Sequence, residues 1–600
     1  MKPLQVRQIL TLLFLILPSC VVFPLQQDER AARVENGLLP PVLIKGEGGW
    51  NIEERMKFYN IPGVSIAVIQ DFKIAWVRGY GVMDNETKEP LTEKTLFVAG
   101  SVSKPVAAMG ALRLVDEGKL ALDGNINEKL VSWKVPENEF TRTEKVTLRR
   151  ILSHSAGVTV HGFHGYAADE PVPTLIQILD GEPPANSPPI RVDLVPGTQW
   201  RYSGGGLTIM QQAMIDIEGK PFPEIMREKV LEPLGMASSS YEQTMSPERL
   251  KYAASGHYGD GRVVEGKRFI YPEMAAAGLW TTPTDLARFA IEVQLSLKGR
   301  SNKVLPQKTA RLMATKQISV NNSQDMAFGF FLEENDKYFS HGGEDIGFIC
   351  GLMAHREDGY GAVVMTNSDG RSGELIGEIL RSIAKEYEWR GQLPTPVEVV
   401  TLSREKMEPL AGRYRLSSDR VLSVKSEGGK LVGEEPQEPQ FELLPISEKE
   451  FVRRDRNVRY VFSAPDEVML RSSAREEKGE RMSPDVKVPY EYLMGGRFDL
   501  AAEGYREILK KDPKDPAVDE NRLNHLGYTL MGERRYATAI VVFKVNVEFY
   551  PGSWNVYDSL GEAYMNASDK DLAIQNYRKS LELNPNSANG RKMLEKLQGK

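Results

Sequence analysis

Cysteine is scarce: Cys20 and Cys350 are the only two in 600 residues, which excludes a disulfide scaffold and thiolate zinc clusters. Histidine is nearly as rare, at seven; that excludes a histidine-rich metal store but leaves single catalytic roles open. Basic charge is not in excess. Lys and Arg number 76 against 82 Asp and Glu, a net −6, so nucleic acid is not an expected partner. There is no G-x-S-x-G, no Walker loop and no dinucleotide fingerprint, which removes the corresponding hydrolase and nucleotide-binding readings. Beyond the N-terminus no stretch approaches the ~18 apolar residues of a membrane span. What remains is ordinary for globular chains, 41% hydrophobic and 26% charged, and the length implies several domains.

The N-terminus has the pattern of an export signal. Lys2 and Arg7 form a basic region, Ile9 to Leu17 an apolar one, and Leu17-Pro18-Ser19-Cys20 follows. The apolar run is too short to span a bilayer. The tetrapeptide resembles a bacterial lipobox, with Cys20 as the lipidation site, although Pro18 is unusual there. Ordinary cleavage and an uncleaved anchor are the alternatives. The expectation is an exported protein, periplasmic or in the cell envelope, with a membrane tether if Cys20 is lipidated.

The rest reads as blocks. Residues 1–25 are the signal and 26–390 mix short strands and helices. Val64–Ile69 and Ile74–Val77 predict a hairpin, Gly361–Thr366 a strand, and Gly373–Trp389 a closing helix. Strands at both ends with helices between predict α+β, an antiparallel sheet flanked by helices. Residues 391–407 are a Pro-containing linker, 408–470 a small β domain of short alternating runs, and 471–489 a charged linker. In 490–598, Leu526-Gly527, Ala539, Phe543 and Pro551 recur 34 residues later as Leu560-Gly561, Ala573, Tyr577 and Pro585. This resembles the tetratricopeptide repeat, and the resemblance implies a helical array that binds a protein or peptide partner and folds as a module of its own.

The chemistry-bearing residues lie in the 26–390 block. Ser101-Val102-Ser103-Lys104 is S-x-x-K; Ser382/Lys385 and Ser403/Lys406 share the spacing, but only the first sits between an extended run and an apolar helix. Pro105 fits only a first helical turn, so the helix begins near Ser101. Serine and lysine three apart share a helical face, and a desolvated lysine there can take the hydroxyl proton. Tyr202 precedes Gly204-Gly205-Gly206, and His341-Gly342-Gly343 precedes a strand-like run. His161-x-x-His164 is half a metal site with no apparent third ligand, so no metal or other cofactor is expected. His154 reads as structural.

The order S-x-x-K, Tyr, H-x-G resembles the serine β-lactamase and penicillin-binding protein superfamily. It is closest in pattern to the class C β-lactamase and D-alanyl-D-alanine carboxypeptidase/esterase branch. Phe97–Ser101, Leu152–Gly157 and Gly278–Ala287 fit the same pattern. The resemblance implies an all-helical subdomain beside the sheet and an acyl-enzyme at Ser101. It also implies Lys104 as base or relay, and Tyr202 as assistant in proton transfer. His341 takes the place of a third-motif lysine, orienting the substrate carboxylate or the Tyr202 hydroxyl, and Gly343, Glu344 and Gly204 join it in the substrate site. The backbone N–H groups of Ser101 and Glu344 form the oxyanion hole. An unperturbed His341, of pKa ~6.5, would make the binding of a carboxylate-bearing substrate weaken as pH rises. β-Lactamases of the branch carry Asn where Gly204 stands, which favours a peptide, amide or ester substrate, particularly of a D-amino acid, over an antibiotic. Three consecutive glycines there are expected to hold φ > 0. A β-lactamase proper and a non-catalytic peptide-binding receptor are the alternatives.

Overall fold

The computed structural model describes residues 22–436, 438–472, 475–585 and 587–598. The reading of residues 1–21 as an export signal, Cys20 included, lies outside them. Helix α1 (Val22–Glu35) crosses the expected signal boundary at residue 25. No described helix is long and apolar enough to cross a membrane.

The first domain is α+β. Strands β1 (Gly63–Gln70) and β2 (Lys73–Gly81) form the expected hairpin. Asp71 and Phe72 turn it with φ of 54° and 61°, both positive as a tight two-residue hairpin turn requires. Two short strands, β3 (Phe97–Val98) and β4 (Trp280–Thr281), pair with each other. The main sheet continues with β5 (Ile318–Ser319), β6 (Asp325–Met326), β7 (Phe331–Glu333), β8 (Tyr338–Asp345), β9 (Phe348–His355) and β10 (Gly361–Thr366). Its order is β2-β1-β10-β9-β8-β7-β6-β5, antiparallel throughout, so strands from the two ends of the domain pair with each other.

One face carries α1 and the closing helix α6 (Ser372–Glu386). Leu375, Ile376, Ile379 and Ile383, at helical spacing, bury against Val64, Ile66, Ala362 and Val364, each such side chain contributing about 1.5–3 kcal/mol. The other face carries α2 (Ser103–Asp116), α3 (Gly204–Glu218), the short α4 (Met274–Ala277) and α5 (Pro283–Leu297). Helix α2 is buried on nearly every side, which explains its run of apolar and small residues rather than a stripe.

The small β domain is a closed eight-stranded barrel, β11 (Gly412–Arg415) through β18 (Glu476–Met482), in which β18 returns to pair with β11. It therefore extends past the expected 408–470 and takes over half of the expected 471–489 linker. Strand β18 reads Glu-Glu-Lys-Gly-Glu-Arg-Met and buries only Gly479. Backbone pairing builds it, and that needs no apolar alternation.

The C-terminal region is helical: α7 (Pro489–Met494), α8 (Phe498–Lys511), α9 (Glu520–Gly532), α10 (Tyr536–Phe549), α11 (Trp554–Asn566), α12 (Lys570–Leu583) and α13 (Ala588–Gln598). A Cβ on Gly527 would collide with the Phe543 ring, and one on Gly561 would lie 3.2 Å from Tyr577. The repeated Leu-Gly pairs thus mark where paired helices press closest. The array is not self-contained. Val421 of the barrel joins its core with Leu493, Ala501 and Leu523. Arg413 pairs with Glu491, and Lys592 reaches Glu170 of the first domain at 3.0 Å.

Gly527→Ala should cost about 1–3 kcal/mol by overpacking. The expected outcome is an early thermal transition for the array with Ser101 labelling intact. A single unshifted transition would show that α9 and α10 have room to spare.

Candidate active site

Sequence places Ser101 at a turn and the fold gives that turn its shape. Gly100–Val102 form one turn of 3₁₀-helix, continuous with α2 at Ser103, so the helix begins where Pro105 requires. Lys104, one turn on, is 2% exposed. Its Nζ lies 2.8 Å from Ser101 Oγ and donates to the Ala276 carbonyl oxygen at 2.8 Å. Burial pushes the ammonium down to about 7, and Asp345 opposes this in part. Near neutrality the amine is half deprotonated, with one N–H fixed on Ala276 and its lone pair available to the serine hydroxyl.

Tyr202 sits in hydrogen-bond reach of Ser101, with burial holding its phenol above the usual value. It therefore keeps its proton, and the proton-accepting role falls to Lys104. The Lys104 ammonium also lies 4.9 Å from the centre of the Tyr202 ring. The ring is clasped by residues that sequence reasoning did not assign to the site. His154, Trp200 and His161 flank it and Phe331 stacks on it in parallel. His154, read as structural, brackets Tyr202 from both sides. Its carbonyl accepts from Arg201 N–H at 2.7 Å and its Nδ1 from Ser203 N–H at 3.1 Å, while its own ring lies 4.2 Å from the phenol ring. Its φ of 54° is unusual for a non-glycine residue, a feature that only the structure shows. His161 packs at 4.8 Å on Tyr202, and among the described residues no group of His, Cys, Asp or Glu is arranged to hold a metal.

The glycines after Tyr202 are not a flexible loop. Ser203 caps α3 by accepting from Gly206 N–H at 3.0 Å, and Gly204–Gly206 form the first helical turn, none with positive φ. Their smallness serves close packing. A Cβ on Gly205 would lie 2.7 Å from the Thr159 carbonyl oxygen, and one on Gly204 3.0 Å from the Phe163 ring and 3.1 Å from the His161 carbonyl oxygen. Gly204 N–H already donates to that carbonyl at 2.9 Å, so this residue offers a substrate neither side chain nor N–H.

On the opposite wall β7 pairs with β8 only as far as Ser340, so residues 341–345 run past it with an open edge toward Ser101. A Cβ on Gly343 would collide with the Ala99 carbonyl and lie 3.1 Å from Ser101 N; one on Gly100, whose φ is 53°, would lie 2.6 Å from Glu344 N. Glycine at both positions lets the turn that carries Ser101 and the strand segment that carries Glu344 approach backbone to backbone. Two backbone N–H donors are the usual device for a developing oxyanion.

His341 lies within this group but not as a charged residue. Its ring is 6.1 Å from Tyr202 and 5.3 Å from Phe331. Burial first, then Lys104, depress its pKa to about 3. Nδ1 lies 2.5 Å from the Gly342 carbonyl oxygen, which assigns the proton to Nδ1 and leaves Nε2 as a buried acceptor. The expected pH-dependent hold on a carboxylate is therefore not available: a tightly buried imidazole beside an ammonium stays neutral.

The working-pH limb thus belongs to Lys104. Hydrolysis should rise with pH through about 7 as Lys104 loses its proton, and His341→Gln should lower the rate without moving that midpoint. A midpoint displaced by the His341 variant would return the titration to the imidazole.

Comparison with known proteins adds the family. The sequence model described as Beta-lactamase matches residues 51–384. Protein flp of Staphylococcus aureus (strain N315) is 23% identical over 321 residues, 53% of this chain and 61% of its own length; the chain thus spans under two thirds of that relative. Penicillin-binding protein 4 of Amycolatopsis lactamdurans is 24% identical over 377 residues, 59% of this chain and 93% of its own. Among solved structures, the octameric penicillin-binding protein homologue from Pyrococcus abyssi superposes with a TM-score of 0.50 at 21% identity, covering 72% of this chain and 98% of that one, a likeness of fold.

Proposed function

Because the chain belongs to the beta-lactamase family, we propose that it is an exported serine hydrolase that forms an acyl-enzyme at Ser101 and cleaves a peptide, amide or ester, particularly of a D-amino acid. The observation that carries this is the 2.8 Å contact between Ser101 Oγ and the buried Lys104 amine. In the forward step Lys104 takes the hydroxyl proton as Oγ bonds to the carbonyl carbon, and the oxygen gathers charge at the Ser101 and Glu344 N–H groups. Each such donor is worth about 3 kcal/mol in the transition state. Tyr202 gives its phenol proton to the departing group and regains one through Lys104. Water entering in the place of that group reverses the transfers and frees the acid.

The C-terminal helices are proposed as tetratricopeptide-type hairpins serving a protein or peptide partner, on the strength of the 34-residue recurrence. Export, and a tether through Cys20 if it is lipidated, rest on the N-terminal pattern alone.

Ser101→Ala should abolish labelling by a fluorophosphonate, and Lys104→Ala should slow acylation by roughly 10²–10⁴-fold, the usual worth of a positioned base. Retained labelling in Ser101→Ala would move the nucleophile elsewhere; no labelling of the wild type would favour a non-catalytic receptor.

Penicillins should acylate more slowly than a short-chain ester is hydrolysed, by about one to two orders of magnitude, since Gly204 supplies no donor for their side-chain amide. Second-order rate constants for the two substrates decide it. Penicillin turnover equal to or above ester turnover would place the chain among β-lactamases proper. Gly204→Asn should help penicillin only where Phe163 yields, because its Cβ meets that ring at 3.0 Å.

A further inference from the structure

Two buried carboxyl groups near Lys104 carry no proton in the transfers above, although the charge of Asp345 acts on both Lys104 and Tyr202. Asp345 follows Glu344 on β8, two residues beyond Gly343 and four beyond His341. Side chains alternate along a strand, so Asp345 leaves β8 on the same face as Gly343 and His341, the face that meets the Ser101 turn. Glu273 directly precedes α4, whose Ala276 carbonyl holds Lys104. Asp345 is 7% exposed and Glu273 0%. Asp345 Oδ2 and both Glu273 carboxylate oxygens have no hydrogen-bond partner. The two groups feel each other's charge, and Glu273 also acts on the phenols of Tyr166 and Tyr271. Tyr271 is anchored to the same strand end, since its hydroxyl accepts from Ile346 N–H at 3.1 Å. Tyr166 is anchored through its backbone pairing with Ile270.

The chemistry of this group selects its ligand. Carboxyl oxygens are acceptors when ionised, so an anion finds no partner there and an apolar group would leave three oxygens unpaired. An alkylammonium supplies three N–H donors and a positive charge, and tyrosine rings tolerate such a charge. The position along β8 says which part of the substrate bears it. Tyr202, which serves the departing group, lies toward His341. In the oxyanion arrangement proposed above Glu344 N–H takes the carbonyl oxygen, and Asp345 comes next along β8, on the side away from His341; that order assigns it to the acyl half.

We infer that the acyl half of the substrate carries a positively charged amino group close to the scissile carbonyl, held by Asp345 with Glu273 behind it. The substrate class is then an amino-acid ester or amide, or a peptide cleaved after its free N-terminal residue. This rests on the acyl-enzyme reading above and narrows it. Burial alone raises both carboxyls, Glu273 to about 8; an entering cation favours their ionised forms and so reverses that shift.

The experiment compares the benzyl esters of D-alanine and N-acetyl-D-alanine on the full-length protein. The expected result is a kcat/KM at least about tenfold higher for the free amine, as one desolvated charge pair supplies. That ratio should fall toward one in Asp345→Asn and in Glu273→Gln, whatever each variant does to the absolute rates. A ratio at or below one in the wild type overturns the inference, as does a ratio that neither variant changes. Fluorophosphonate labelling run alongside separates the two levels. Labelling with no amine preference sinks only the amine site, whereas no labelling and no hydrolysis of either ester sinks the hydrolase reading as well.

Discussion

The site depends on keeping one ammonium group out of water. Lys104 is 2% exposed, and its charge is felt by His154, His161, His341, Asp345 and the Tyr202 ring. Desolvation works against the charged amine and brings it to about 7. The same charge, with burial, keeps His154 and His341 neutral. Those imidazoles are thereby left as fixed hydrogen-bonding and packing surfaces, which is how His154 can clasp Tyr202 with Nδ1 as a constant acceptor. A solvent-exposed lysine at this position would be fully protonated and would leave Ser101 an ordinary helix-start hydroxyl.

Holding that amine requires the two halves of the first domain to meet. Ser101 and Lys104 come from one helix start, Ala276 from α4, and Glu344 from the open edge of β8. The seam is closed by missing side chains: Gly100 and Gly343 let the turn and the strand touch backbone to backbone. The gap that Gly343 leaves is flanked on the same strand face by His341 and Asp345. The barrel and helical array lie outside this seam, yet Lys592 contacts Glu170. Glu170 belongs to the stretch that runs from His161 and Phe163, beside Tyr202 and Gly204.

Much of this was legible in the residues. S-x-x-K before an apolar helix, Tyr202 before a helix start and H-x-G before a strand picked out residues that the fold brings together around Ser101. Hairpin turn, central strand and closing helix fell within a few residues of where the pattern put them. The charged strand β18 was not legible, because a barrel closes through backbone hydrogen bonds and its side chains face water. The helical turn at Gly204–Gly206 was missed because glycine runs read as loops unless a cap such as Ser203 and close neighbours such as Thr159 are known. The neutrality of His341 was not legible because a residue's charge depends on its solvent, and sequence does not show solvent.

By itself the sequence determined the family, the Ser101–Lys104 pairing and the repeat period, since these reside in residue types at fixed spacings along one chain. Tertiary structure alone decided protonation and proximity. The Lys104 amine is brought to about 7, His341 stays neutral, and Asp345 feels the charge of Glu273 only because segments far apart in the chain exclude water from a common volume. Burial is a property of the assembled interior, and no local pattern encodes it.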